Sequence, residues 1–189
     1  MKQWTLLTAA GLSIGLTAGV LAGIPLGQIL NAMLVTALAV SIVGAVLGAF
    51  QSFGLRRLLT NRVWWIAATT IGTAIGLALG VVTVEQIGTL ITGTRPRVAL
   101  LSPSMRALSF VALGAIAGST LGLAQWLVLR VRYWIVTCGA ALAIAFSVAS
   151  LLLNNTVVGR VAFVVIAGLM FGAMTSWPLR RGSDWVKLP

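Results

Sequence analysis

The hydrophobic pattern of this chain does not alternate between two faces; it runs nearly unbroken for about twenty residues at a time. Six such stretches, at about 4 to 24, 29 to 54, 63 to 84, 103 to 129, 133 to 153 and 157 to 177, are separated by short polar or basic turns. Each has roughly the twenty apolar residues that a helix needs to cross the hydrocarbon of a bilayer. The first, after Met1-Lys2, is long enough for a span rather than the shorter apolar core of a signal peptide. Ser102-Pro103 reads as the cap and first position of the fourth helix. Residues 85 to 106 are the one sizeable connector, where Val84, Ile87, Leu90 and Ile91 have helical spacing. That spacing fits a helix lying along the interface or an irregular link. Asn154-Asn155-Thr156 reads as a turn rather than a glycosylation site, and Gln28 as a turn residue.

Because both faces of every stretch are apolar, residue size is the more informative signal. Glycines recur every four residues at Gly11, Gly15 and Gly19, continuing to positions 23 and 27. They recur again at Gly44 and Gly48, at Gly72, Gly76 and Gly80, at Gly118 and Gly122, and at Gly168 and Gly172. On a helix each set forms one stripe that lets a neighbouring backbone approach closely. Gln51 and Gln125 extend two of these stripes into polar territory, as does Thr175 in a third.

The stripes repeat in register. Adding 74 carries Gly44, Gly48, Gln51, Leu55 and Arg56 onto Gly118, Gly122, Gln125, Leu129 and Arg130. Adding 124 carries Gly44, Gly48, Ser52, Leu55, Arg56 and Arg57 onto Gly168, Gly172, Ser176, Leu179, Arg180 and Arg181, with Thr175 in the place of the glutamine. Subtracting 61 takes Trp65, Thr69, Gly72, Gly76 and Gly80 to Trp4, Thr8, Gly11, Gly15 and Gly19, and adding 69 takes them to Trp134, Cys138, Ala141, Ala145 and Ala149. The expected architecture is one all-α transmembrane domain of six helices, built as three α-hairpins at about 4–57, 65–130 and 134–181.

Composition and charge add an orientation. Soluble domains carry about 25% charged residues. This chain has only 8%, and 59% of it is hydrophobic. Its mean hydropathy is +1.07. Nine of the thirteen Lys and Arg residues fall on the side that six spans would assign to both termini. The positive-inside rule makes that side cytoplasmic, in a bacterial inner or thylakoid membrane. Arg56, Arg57, Arg130, Arg132, Arg180 and Arg181 are then candidates for contact with lipid phosphates or an acidic partner, the former being the simpler reading. No basic segment has the length or exposed aromatics of a nucleic-acid interface. All seven tryptophans lie near the same end and read as interface markers. An outer belt is missing, either as a consequence of the repeat or because a partner covers that end.

Little in this chain is equipped for chemistry. It has no histidine, only Glu85 and Asp184 as acids, and no charged residue deep inside an apolar run. That removes the usual acid–base pair, proton relay, metal cluster and phosphate loop, so no enzyme is expected. Cys138 reads as a buried small residue. Gln51, Gln125 and Thr175 read first as glue between helices, and second as the lining of a solute path or a pigment ligand.

The cassette G-x3-G-x2-Q-x3-L-R followed by paired aromatics resembles a group of small, Gly-rich polytopic proteins of photosynthetic bacteria, notably cyanobacteria and Chloroflexi. Thr175 departs from that pattern in the third copy. The resemblance implies location and architecture and carries no activity. The leading expectation is a non-catalytic structural, accessory or assembly subunit of a larger photosynthetic or respiratory membrane complex. Lipids and other membrane subunits are its expected partners, with oligomerisation open. The alternatives are a small transporter or channel for an uncharged or anionic solute, and binding of lipid or carotenoid in the glycine grooves. The direction in which the Gln, Ser and Thr side chains point discriminates between glue and a solute path.

Overall fold

A computed structural model describes residues 2–26, 32–56, 58–93, 102–131, 133–151 and 157–181. Among them are six helices and no strand: α1 Lys2–Leu26, α2 Ala32–Gly54, α3 Arg62–Thr92, α4 Pro103–Leu129, α5 Trp134–Ser150 and α6 Val157–Arg181. Three stretches, Leu34–Gly54, Arg62–Leu90 and Ser104–Leu129, are long and apolar enough to cross a membrane. Trp134–Ser150 and Val161–Trp177 are shorter apolar helical stretches.

Local chemistry sets several helix ends. Asn61 Oδ1 accepts from the Val63 amide at 3.0 Å and from the Trp64 amide at 3.3 Å. These bonds satisfy two of the N–H groups left over at the start of α3. Ser102 Oγ accepts from the Met105 amide at 3.3 Å. Pro103 follows at the position where a missing N–H costs nothing. At the end of α3, Gly93 takes φ +69°, a left-handed turn that glycine adopts without penalty. Its N–H donates to Thr89 O at 2.8 Å. Between α4 and α5, Arg130 and Tyr133 both adopt positive φ, at 55° and 62°.

Two expected boundaries change. Residues 85–92 are neither an interfacial helix nor an irregular link; they are the last turns of α3, because nothing before Gly93 interrupts the backbone ladder. The remainder of that connector, 94–101, lies outside the described residues, as do the Asn154-Asn155-Thr156 turn, Gln28 and Gly27. Helix α6 also continues past Pro178 to Arg181 instead of closing there.

Each helix packs chiefly against its neighbours in the chain, and α6 packs back on α1, so the six close into a ring. The core runs along the ring axis and includes Leu12, Leu47, Leu121, Leu142 and Phe171. The rim is apolar as well: Leu6, Leu21, Phe53, Val63, Leu90, Val136 and Val158 are all exposed. An apolar rim of this extent is what a surface facing lipid or another subunit presents.

Candidate functional site

The seams between helices are made where small residues face backbone. A Cβ at Gly44 would lie 2.7 Å from Thr70 Cα, and one at Gly48 3.1 Å from Ile66 Cα, so α2 meets α3 through these two glycines. Gly11, Gly15 and Gly19 bring α1 against Leu47, Val43 and Ala39 of α2. Gly72, Gly76 and Gly80 bring α3 against Leu121, Ala117 and Leu113 of α4. Gly118 and Gly122 face Cys138 and Ile135 of α5. The ring closes where Gly168 and Gly172 of α6 lie against Ala9 and Thr5 of α1; a Cβ on either glycine would stand 2.9 Å from the facing Cα. Gly114, which faces the Leu142 carbonyl, and Gly139, which faces Ser119 Oγ, belong to the α4–α5 seam although they stand outside the expected stripes.

One helical turn from the core leucines, the buried polar residues form a layer across the ring. Gln125 is its hub. Gln125 Nε2 donates to Gln51 Oε1 at 3.0 Å and to Thr69 Oγ1 at 3.1 Å, and Gln125 Oε1 accepts from Trp134 Nε1 at 3.1 Å. On the opposite side Trp4 Nε1 donates to Thr175 Oγ1 at 3.1 Å. The Thr175 hydroxyl donates in turn to Phe171 O at 2.7 Å. Trp4 and Trp65 both stack edge-on against Trp134, with ring centroids 6.4 Å apart in each pair.

The reading of every tryptophan as an interface marker therefore needs correction. Trp4, Trp65 and Trp134 are at most 4% exposed and cap the ring from inside, whereas Trp64 and Trp177 are exposed. Their spacing by 61 and 69 residues, alongside the small-residue ladders, is the signal that separates the two groups.

The layer is asymmetric in an informative way. Thr8 Oγ1, Gln51 Nε2 and Trp65 Nε1 are buried and make no hydrogen bond among the described residues. By the sequence offsets of 61, 74 and 69 residues they match Thr69 Oγ1, Gln125 Nε2 and Trp134 Nε1, which are all bonded. Gln51 instead turns its carbonyl to the Gln125 amide, and its own amide is among the unpaired groups. Trp134→Phe is accordingly expected to cost about 1–2 kcal/mol more than Trp65→Phe, because only the former strands a buried acceptor. Trp134 makes two edge-on ring contacts against one for Trp65, so the difference in detergent unfolding midpoints reads the hydrogen bond together with one ring contact.

Beyond this layer the axis opens into a cavity of about 130 Å³ walled by all six helices. Residues related by the same sequence offsets face it together: Leu12, Thr73 and Leu142; Leu47, Leu121 and Phe171; Leu16, Leu77 and Phe146; Val43, Ala117 and Ala167. Phe110, Phe146 and Phe163 stack on one another at the far side, with centroid separations of 5.5 to 6.4 Å.

The basic candidates divide. Arg56 is exposed. The Arg130 guanidinium lies 4.7 Å from the Trp126 ring centroid, a cation–π contact at the α4–α5 turn. Arg57 and Arg132 lie outside the described residues, and of Arg180 and Arg181 only the helical backbone is described. Among the described residues no three His, Cys, Asp or Glu side chains gather into a metal site. Cys138 is a buried free thiol at the position that the sequence offsets match to Thr8 and Thr69. No protein-family model, curated protein or solved structure matches this chain.

Proposed function

We propose that this chain is a non-catalytic integral membrane subunit that serves as a structural, accessory or assembly component of a larger membrane complex. In this reading all six helices span the bilayer as three repeated α-hairpins, with both termini cytoplasmic. The chain takes its place beside the Gly-rich polytopic proteins of photosynthetic bacteria that it resembles. The observation that carries the proposal is the fate of the buried amides and hydroxyls. Gln125, Thr69, Thr175 and the Gln51 carbonyl are engaged with one another, with tryptophan N–H groups or with helix carbonyls, while Thr8 Oγ1, Gln51 Nε2 and Trp65 Nε1 have no partner among the described residues. A solute path needs such groups to line a hydrated channel. Here the axial space next to them is walled by hydrocarbon. The apolar rim is then the surface left for lipid and for neighbouring subunits.

The test is purification in mild detergent, followed by native mass measurement and, separately, flux assays in liposomes. The expected result is a stoichiometric, salt-resistant assembly with other membrane proteins and no flux of small uncharged or anionic solutes. A chain that runs alone and carries flux overturns the proposal in favour of transport.

A further inference from the structure

The axial cavity has the properties of a ligand site, not of a packing defect. Protein interiors are packed to crystal-like density, with few voids larger than a water molecule. Here a space of about 130 Å³ is bounded by side chains from every helix of the ring. It offers water nothing to bind. Its wall is apolar except for Thr73, whose hydroxyl is already committed to Thr69 O at 2.6 Å. A buried water typically needs about three hydrogen-bond partners, whereas an engineered cavity of about 150 Å³ lined by Leu, Ile and Phe stays dry and takes up benzene or xenon.

A second space lies beside the cavity. This more open groove of about 320 Å³ runs between α1 and α6 and is lined by Ser13, Thr17 and Val161 among others. Leu16 and Val164 line both spaces, so two side chains form the partition between the outside of the ring and its axis. This is the seam at which the first and last helices close the ring.

We propose that the axial cavity is a binding site for a small apolar hydrocarbon group, about benzene in size, admitted between Leu16 and Val164. Two sources share that chemistry: the terminal carbons of a lipid acyl chain and a free small hydrocarbon. The lateral acyl route rests on the membrane-spanning reading; occupancy of the cavity does not. A carotenoid is far larger than this space and belongs, if anywhere, on the outer grooves.

The test uses the full chain in two arms. In the first, crystals are pressurised with xenon, and one anomalous peak is expected among Leu47, Leu121 and Phe171. Thr73→Leu with Ala117→Leu fills the space, since the other two repeats already carry leucine at the position of Thr73, and is expected to abolish the peak. Ala167→Val, on a different helix, serves the same end if the double variant does not fold. In the second arm, the protein exchanged into phosphatidylglycerol vesicles is re-extracted for native mass spectrometry. One retained lipid, lost in the filled variant, assigns the site to an acyl chain. A xenon peak without retained lipid supports the site and assigns it to a free hydrocarbon. Absence of the peak in wild-type crystals that retain the closed ring overturns the proposal.

Discussion

Gly118→Ala is expected to cost about 3 kcal/mol, among the largest losses a single methyl group can inflict on this bundle. The added carbon would press on the Cys138 carbonyl oxygen and stand 2.9 Å from both Cys138 C and Gly139 Cα. All three are backbone atoms held in the α5 helix, so no side chain can swing away, and α4 and α5 must separate. Separation would also loosen Gly114 against Leu142 and Gly122 against Ile135 along the same seam. Gly54→Ala is the matched control. There the carbon would meet the Trp4 ring at 3.2 Å and the Leu7 methyl at 3.5 Å, both side-chain atoms, at the exposed end of α2. Gly54 is the last residue of α2, where the interior propensity advantage of alanine does not apply in full, and Trp4 is held by Thr175 and Trp134, so this variant is expected to cost less than about 1 kcal/mol. Unfolding in a graded SDS titration reads both. Equal midpoints for the two variants would mean that α4 and α5 do not touch as described.

Gln125→Leu and Gln51→Leu are expected to differ by about 2 kcal/mol or more, although the two glutamines occupy equivalent positions in the repeated cassette. Removing Gln125 deletes three hydrogen bonds and leaves the Trp134 N–H and the Gln51 carbonyl buried and unpaired. In membrane proteins an interhelical hydrogen bond is worth only about 0.6 kcal/mol, so the bonds themselves are the smaller part. The larger part is stranding two polar groups, at about 1–3 kcal/mol each. Removing Gln51 deletes one of those bonds and at the same time removes an amide that has no partner among the described residues. The two effects oppose each other, and Gln51→Leu should lie within about 1 kcal/mol of wild type. A larger loss for Gln51→Leu than for Gln125→Leu would show that the hub is misassigned.

The parts of this fold legible in the chain are those set by local spacing. Glycines four apart must share a helix face, and only a neighbouring backbone makes use of a face that small. Those stripes accordingly name residues at five of the six seams, all but α5–α6, including Gly168 and Gly172, which face α1 across the whole length of the chain. What escapes such reading is non-local. A tryptophan near a helix end is ordinarily placed by the membrane interface. Trp4, Trp65 and Trp134 go inward because a ring of six helices leaves axial room that no single helix reveals. The direction of the Gln51 side chain follows from its meeting a second glutamine on another helix, which equivalence by sequence offset conceals. The extent of α3 is hidden for a simpler reason: Glu85 and Gln86 lower the apolar density without breaking the helix, which ends only at Gly93.

Closure of the ring through α1 and α6 is the feature on which the polar layer and the cavity both depend, and cysteine cross-linking in native membranes tests it most directly. A Cβ at Gly168 would lie 3.5 Å from Ala9 Cβ. That falls within the Cβ separation of about 3.5–4.5 Å that a disulfide requires. With Cys138 replaced by alanine, the pair Ala9→Cys and Gly168→Cys is expected to form an intramolecular cross-link on mild oxidation. Gly15→Cys with Val46→Cys, separated by 3.4 Å at the lower edge of that range, is the control across the α1–α2 hairpin. Each glycine change sets a Cβ against partner backbone, 2.9 Å from Ala9 Cα and 3.0 Å from Val43 O, so the control carries the same local displacement and reports on folding regardless of closure. Cross-linking of both pairs is the expected outcome; cross-linking of the hairpin pair alone would contradict a closed ring.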